Sequence, residues 1–298
     1  MLSTIDKPIF FIGVPRSGTT VVFEAVARHE AVAWPSIYSR THPGLPILNI
    51  LRRFLDNEII KLEGKKKQHS QVILGNRYLP TPDEAYEFWD KYSQVDFSRS
   101  YLIGEKASEK AQIEVRHQVK KILLWQGKKR FIAKLTGPAR IGFIKSIFPD
   151  AKFIHVIREG TAVINSLMNV GFWKEGGGYQ KPWWPDGFTE SMKAFWVDHN
   201  QDPLVLAALQ WKQIIETARQ EASHLTPDEY LEINYRTFVR SPDEVIDKLF
   251  KFSDLERSNR SDIYIKNMPD RKPSSQSSLF SSENHALIEK MCKTVDLP

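Results

Sequence analysis

The sequence predicts an α/β fold in three layers, a central parallel sheet flanked by helices plus a helical insert, organised as a single domain over residues 1–298. Three observations predict it. Short apolar runs recur at 9–14, 101–104, 130–135, 152–157 and 230–233, the pattern of strands buried on both faces. Helical periodicity lies between them, clearest where Leu204, Ala208, Trp211, Ile215 and Ala218 fall at three- and four-residue steps. One stretch, 35–100, breaks the alternation and reads as the insert.

Taken in order, the run 9–14 leads into a glycine-containing turn and then a helix over 19–29. The insert mixes helix and loop and holds the lysine run Lys65-Lys66-Lys67, expected to be solvated. After the runs at 130–135 and 152–157 comes an irregular stretch, 171–196, with Gly176-Gly177-Gly178 beside Trp173, Trp183, Trp184 and Phe188. Its glycines suggest a loop that moves, and its tryptophans suggest that it covers something. The tail, 257–282, is serine-rich and polar.

Composition narrows the function classes. Residues of hydrophobic type make up 41% of the chain, enough for a sizeable core and against a disordered protein. Lysine plus arginine number 42 against 36 acids, a net charge of +6 that favours anionic ligands. Cys292 is the only cysteine, which excludes an intrachain disulfide and a cysteine metal cluster. No apolar run reaches the roughly 18 residues of a membrane span, so a soluble, cytoplasmic chain is expected. There is no lysine- and arginine-rich helix or aromatic RNA-binding motif to suggest nucleic acid, and no carboxylate or histidine cluster to suggest a metal.

The chemistry begins at Gly13-Val14-Pro15-Arg16-Ser17-Gly18-Thr19-Thr20, between an apolar run and a helix. Two glycines at this spacing let the backbone curl until successive N–H groups face a phosphate on the helix N-terminus. This makes the fold P-loop-like. A nucleoside triphosphatase would carry lysine after the second glycine, where this chain has Thr19, and the positive charge sits inside the loop as Arg16. Such a loop suits one compact phosphate group rather than a triphosphate tail. A second anion site is suggested by Arg158, at the end of the run 152–157, followed eight residues later, in the next helical stretch, by Ser166. Ligands of open parallel sheets bind beyond the carboxyl ends of strands, where an arginine and a hydroxyl can grip a phosphate together.

Pro15-Arg16-Ser17-Gly18-Thr19-Thr20 resembles the 5′-phosphosulfate loop of the sulfotransferases that use 3′-phosphoadenosine 5′-phosphosulfate (PAPS), in particular the branch with tyrosylprotein and bacterial sulfotransferases. Arg158 and Ser166 match the pair that holds the 3′-phosphate in that family. The resemblance implies PAPS as co-substrate, no metal, and transfer of a sulfuryl group to a hydroxyl or amine of a small-molecule, lipid or glycan acceptor. It further places Tyr235 near the nucleotide and Arg271 with Lys272 in the basic segment over the 3′-phosphate. Lys134 stands where the family has the lysine that stabilises the leaving group. The family's base is a glutamate soon after the first helix, but Ala33-Trp34-Pro35-Ser36-Ile37 offers no acid there. His42 ranks first as base for its near-neutral titration, Glu105 second, with Glu84 as a further carboxylate in the insert. Two other readings stay open: a magnesium-dependent nucleoside or sugar-phosphate kinase with a degenerate loop, and a nucleotide-binding module without activity.

Overall fold

The computed structural model describes residues 5–56, 79–268 and 282–298. Five strands form one parallel sheet: β1 (Ile9–Gly13), β2 (Val32–Ala33), β3 (Arg130–Thr136), β4 (Lys152–Ile157) and β5 (Tyr230–Asn234), in the order β2-β3-β1-β4-β5. Every residue of β1 and β4 is buried, as expected of strands covered on both faces. Register aligns Gly13 of β1 with Thr136 of β3 and Ile12 with His155 of β4. The carboxyl ends of the three central strands therefore meet at one edge.

Side-chain alternation builds the layers. From β1, Phe10 and Ile12 point into one core, whereas Ile9 and Phe11 point into another. Helices α1 (Thr19–Ala27), α2 (Ile37–Thr41), α3 (Leu51–Leu55), α4 (Tyr86–Ser93), α5 (Glu109–Gln126) and α6 (Ile141–Ile147) follow in order. They continue as α7 (Gly160–Leu167), α8 (Gly171–Glu175), α9 (Glu190–Asp198) and α10 (Pro203–Ala222). The last are α11 (Tyr235–Arg240), α12 (Pro242–Phe252), α13 (Asn259–Lys266) and α14 (Ser282–Lys293). Helices α4, α5 and α6 cover the Phe10 face, where that ring lies against Trp89, Phe131, Phe148 and Phe153. Helices α1, α11, α12 and α13 cover the Phe11 face. Among the described residues no helix is long and apolar enough to cross a membrane.

Two expectations change. The run 101–104 is a bend and not a strand, although Tyr101 and Leu102 are buried. It is tied by a side chain at its start and a main-chain turn at its end, since Tyr101 N donates to Asp186 and Glu105 N to the Leu102 carbonyl, and Leu102 adopts φ 55°. The sheet edge is taken instead by β2, two residues too short to show periodicity, paired with Arg130 and Phe131. In the stretch 171–196, α8, a 3-10 turn at Pro185–Gly187 and α9 enclose buried Trp173, Trp184 and Trp196. Its glycines answer to packing: a Cβ on Gly176 would lie 2.2 Å from the Trp183 ring, and one on Gly178 2.6 Å from Trp173. The lysine run 65–67 lies outside the described residues.

Candidate active site

At the carboxyl edge of the sheet, β1 turns into α1 through the glycine loop. Ser17 N donates to the Val14 carbonyl at 3.0 Å, closing the turn, and Arg16 and Gly18 both take left-handed φ, 75° and 87°. Helix α1 begins at Thr19 without a side-chain cap, so its first-turn N–H groups face the loop. Beside them the hydroxyls of Ser17 and Thr19 are buried with no hydrogen-bond partner. Buried hydroxyls normally find one. Two orphaned donors at an uncapped helix N-terminus fit a compact anion, with Thr19 in lysine's usual place.

The second anion element folds onto the first. Arg16 Nε donates to Ser166 Oγ of α7 at 2.9 Å, across 150 residues of sequence. Arg158, just after β4, donates to the Arg16 carbonyl at 3.1 Å, and its guanidinium lies 5.2 Å from the centre of the Tyr235 ring. Tyr235 opens α11 beyond β5, and a Cβ on Gly18 would meet its ring at 2.2 Å. The structure thus gathers Pro15, Arg16, Ser17, Gly18, Thr19, Thr20, Arg158, Ser166 and Tyr235 around one crevice. Arg271 and Lys272 lie outside the described residues.

Lys134 enters from β3 on the other side of the loop. Its Nζ donates to Thr20 Oγ1 at 2.9 Å and lies 2.6 Å from Glu84 Oε1, both side chains being largely shielded from solvent. Thr136 Oγ1 donates to the second oxygen of Glu84 at 2.9 Å. Tyr86 donates its hydroxyl to the Thr136 carbonyl, and burial followed by the nearby Glu84 charge raises its pKa, keeping it a donor. A local arrangement delivers Glu84. Pro82 bridges to Ser36, Asp83 N donates to the Pro35 carbonyl, and Asp83 Oδ1 accepts from Ala85 N before α4.

The two first-ranked bases stand elsewhere. His42 is exposed at the end of α2, its Nδ1 2.9 Å from Thr41 Oγ1, and Glu105 is exposed in the bend after Gly104. Neither is a partner of Lys134, whereas Glu84, ranked behind them, is. Thr136 and Tyr86 escaped sequence reasoning, because neither carries a signal outside the turn that they complete. Among the described residues no group of three or more His, Cys, Asp or Glu is placed to hold a metal ion.

Past Lys134 the chain turns at Thr136-Gly137-Pro138, and two buried side chains fix this turn. A Cβ on Gly137 would lie 2.4 Å from the Trp184 ring, whose Nε1 donates to the Ser98 carbonyl at 3.1 Å. Arg140 is fully buried, donating to the carbonyls of Pro138 at 2.6 Å and Ser100 at 2.9 Å. Next to Trp184, half-buried Trp183 stacks on Trp173 with centroids 5.4 Å apart and carries the Arg99 guanidinium 4.1 Å above its own ring. Exposed Phe172 meets Trp183 edge-on. The wall past Lys134 is therefore aromatic and open at its rim.

Comparison with known proteins adds to this geometry. A family model described as the sulfotransferase family matches residues 8–259. The omega-hydroxy-beta-dihydromenaquinone-9 sulfotransferase Stf3 of Mycobacterium bovis is 22% identical over 264 residues, covering 83% of this chain and 62% of that protein. The chain therefore spans less than two thirds of that relative. Among solved structures, sulfotransferase STF9 from Mycobacterium avium superposes with a TM-score of 0.60 at 15% identity, covering 99% of this chain and 78% of the other. The sulfotransferase domain from the curacin biosynthetic pathway does so at 0.52 and 16%, covering 99% and 93%. These structural likenesses concern the fold.

Proposed function

This chain belongs to the sulfotransferase family, and from that premise we propose that it transfers a sulfuryl group from PAPS to a hydroxyl of an apolar, lipid-like acceptor. The observation that carries the reading is the junction of two anion sites, where Arg16 bonds Ser166 and Arg158 bonds Arg16. A ligand with separate 5′- and 3′-phosphates suits that junction, and the orphaned Ser17 and Thr19 hydroxyls suit its 5′ end. When bound, PAPS supplies a sulfuryl group on a phosphate leaving group.

The chain's own residues supply the rest. Glu84 takes the proton of the acceptor hydroxyl as that oxygen bonds to sulfur. The electron pair of the breaking S–O bond goes to the 5′-phosphate oxygen, where Lys134, Arg16 and the start of α1 stabilise the charge. Lys134 sits within reach of both tasks, since Thr20 and Glu84 share its ammonium. Releasing Glu84 to the acceptor turns Lys134 toward the leaving oxygen. The rim of Phe172, Trp183 and Arg99 supports an apolar acceptor, and the name of the Mycobacterium relative specifies a menaquinone-derived one for that protein.

Calorimetric titration with adenosine 3′,5′-bisphosphate beside magnesium-ATP tests the donor site. The bisphosphate should bind selectively at micromolar concentration and lose at least tenfold in affinity in folded Arg16→Ala and Arg158→Ala variants, about 1.4 kcal/mol each. Preference for magnesium-ATP would return the chain to the kinase reading.

A further inference from the structure

Helix α7 carries Ser166 and begins two residues after Arg158, so its placement sets the geometry of the second anion element. At 8 residues it has little stability of its own and takes its position from packing. Gly160, Val163, Ile164 and Leu167 form its buried stripe, at three- and four-residue steps. Helices α10 and α14 pack against it. Ser166 lies off the stripe, half-buried, where it meets Arg16.

At the start of α7 the approach of α14 is close. A Cβ on Gly160 would lie 2.3 Å from Cys292 Sγ of α14 and 3.1 Å from the Trp211 ring of α10. Only glycine leaves room for both. Burial, with the Glu289 charge nearby, pushes the Cys292 thiol up to about 12, so it packs as an uncharged side chain. Ile288, one turn earlier, is fully buried, and with Val295 it joins the core that contains Val14, after β1, and Ile157, at the end of β4.

The residues after α14 reach the other neighbour of Arg158. Arg219 donates to the Asp296 carbonyl at 2.7 Å, and Asn234 Nδ2 donates to the Pro298 carbonyl at 3.1 Å. Asn234 Oδ1 caps α11 by accepting from Arg236 N at 2.8 Å. The next residue, Tyr235, supplies the ring beside Gly18 and Arg158. Both elements that flank Arg158 are therefore braced by α14 and the residues that follow it.

We propose that α14 is a positioning element for the 3′-phosphate of the donor, acting through Cys292 on Gly160 to set α7 so that Arg158 and Ser166 meet one anion. The role rests on PAPS as donor. The 5′ side needs no such brace, because main-chain bonds hold its loop: Ser17 N donates to the Val14 carbonyl and Gly137 N to the Gly13 carbonyl. A shift of α7 moves one phosphate site and leaves the backbone N–H groups of the other in place.

The full chain is titrated calorimetrically with adenosine 3′,5′-bisphosphate and with adenosine 5′-monophosphate. Gly160→Ala should lower bisphosphate affinity at least about fivefold and change monophosphate affinity by less than about twofold. Adding Cys292→Ala makes room for the new methyl group and should restore most of the bisphosphate affinity. Ile288→Ala loosens α14 without touching α7 and should give the same selective loss. Arg158→Ala is the control for the donor reading. If it has no effect, or if the wild type binds no bisphosphate, that reading fails and the role of α14 fails with it. With the donor reading intact, the role of α14 is overturned if either folded variant binds the bisphosphate as wild type. It is equally overturned if both nucleotides weaken alike, or if Cys292→Ala leaves the loss in Gly160→Ala unchanged.

Discussion

The two sides of the crevice are held in different ways. On the side proposed for the nucleotide, Arg16 and Thr19 lie in the loop and first helical turn after β1 and Arg158 follows β4, and the main chain places them: a curled loop, an uncapped helix and a carbonyl that accepts from Arg158. On the side proposed for the acceptor, only Lys134 and Thr136 are placed by a strand. Tyr101, Trp183 and Trp184 are fixed by side chains reaching over long sequence separations, through Asp186, Gln210 and the Trp184 indole, while Glu84 is delivered by the bridge of Pro82 to Ser36 and held by Lys134 and Thr136. A main-chain frame tolerates few sequences but many neighbours. A side-chain frame can be rebuilt around a new acceptor without touching the sheet, the division of labour expected of rigid scaffolds and variable walls.

That contrast can be broken. The largest expected effect is at its seam, where the walls share an ammonium. Glu84→Gln keeps the hydrogen bonds but not the base, and should lower kcat about 10²–10⁴-fold with bisphosphate affinity unchanged. His42→Ala and Glu105→Ala should stay near wild type. Steady-state rates decide it, and a large loss in either of those two with an active Glu84→Gln variant would put the base on the acceptor rim.

Arg140 comes next. Arg140→Met leaves the carbonyls of Pro138 and Ser100 buried without donors and should cost ~3 kcal/mol in chemical denaturation. If the acceptor wall is the side-chain frame described, acceptor KM rises far more than bisphosphate Kd. An equal change in both would show that the turn supports the whole crevice.

The smallest effect lies away from both sides, at the opposite edge of the sheet. The Lys145 ammonium, 2.5 Å away, and the Thr226 amide hold Glu229 down to about 2. A depressed carboxylate stabilises the fold above its unfolded pKa and loses that contribution as pH falls through the folded one, here from about 4.5 toward 2. Glu229→Gln should therefore flatten the acid limb of stability by under ~1 kcal/mol, since the pair is partly solvated, without altering turnover at neutral pH.

The same contrast explains what could be read in the sequence. The sheet was legible in its central strands, because β1 and β4 are continuous apolar runs, and the meeting of Arg16 with Ser166 was legible because both sit in local patterns tied to those strands. The acceptor side was not. Glu84 was named but ranked behind His42, because what brings it to Lys134 is a bridge between Ser36 and Pro82, a contact that leaves no periodic trace. The run 101–104 has strand-like residues, and only the distant partner Asp186 and the turn from Leu102 to Glu105 make it a bend. The tryptophans of 171–196 announced burial, while the room that Gly176 and Gly178 leave for the Trp183 and Trp173 rings had no sequence signal of its own.

The bond between Arg16 and Ser166 has a consequence for discrimination among nucleotides. A ligand carrying only a 5′-phosphate draws Arg16 away and leaves the Ser166 hydroxyl without a partner of comparable strength. A ligand with a 3′-phosphate as well gives that hydroxyl an acceptor to donate to, in place of the donor it lost. Because Ser166 is only half-buried and its bond with Arg16 is open to solvent, water can meet the hydroxyl when Arg16 leaves, so the preference for a bisphosphate from this bond alone is small and must come from the contacts of Arg158 as well.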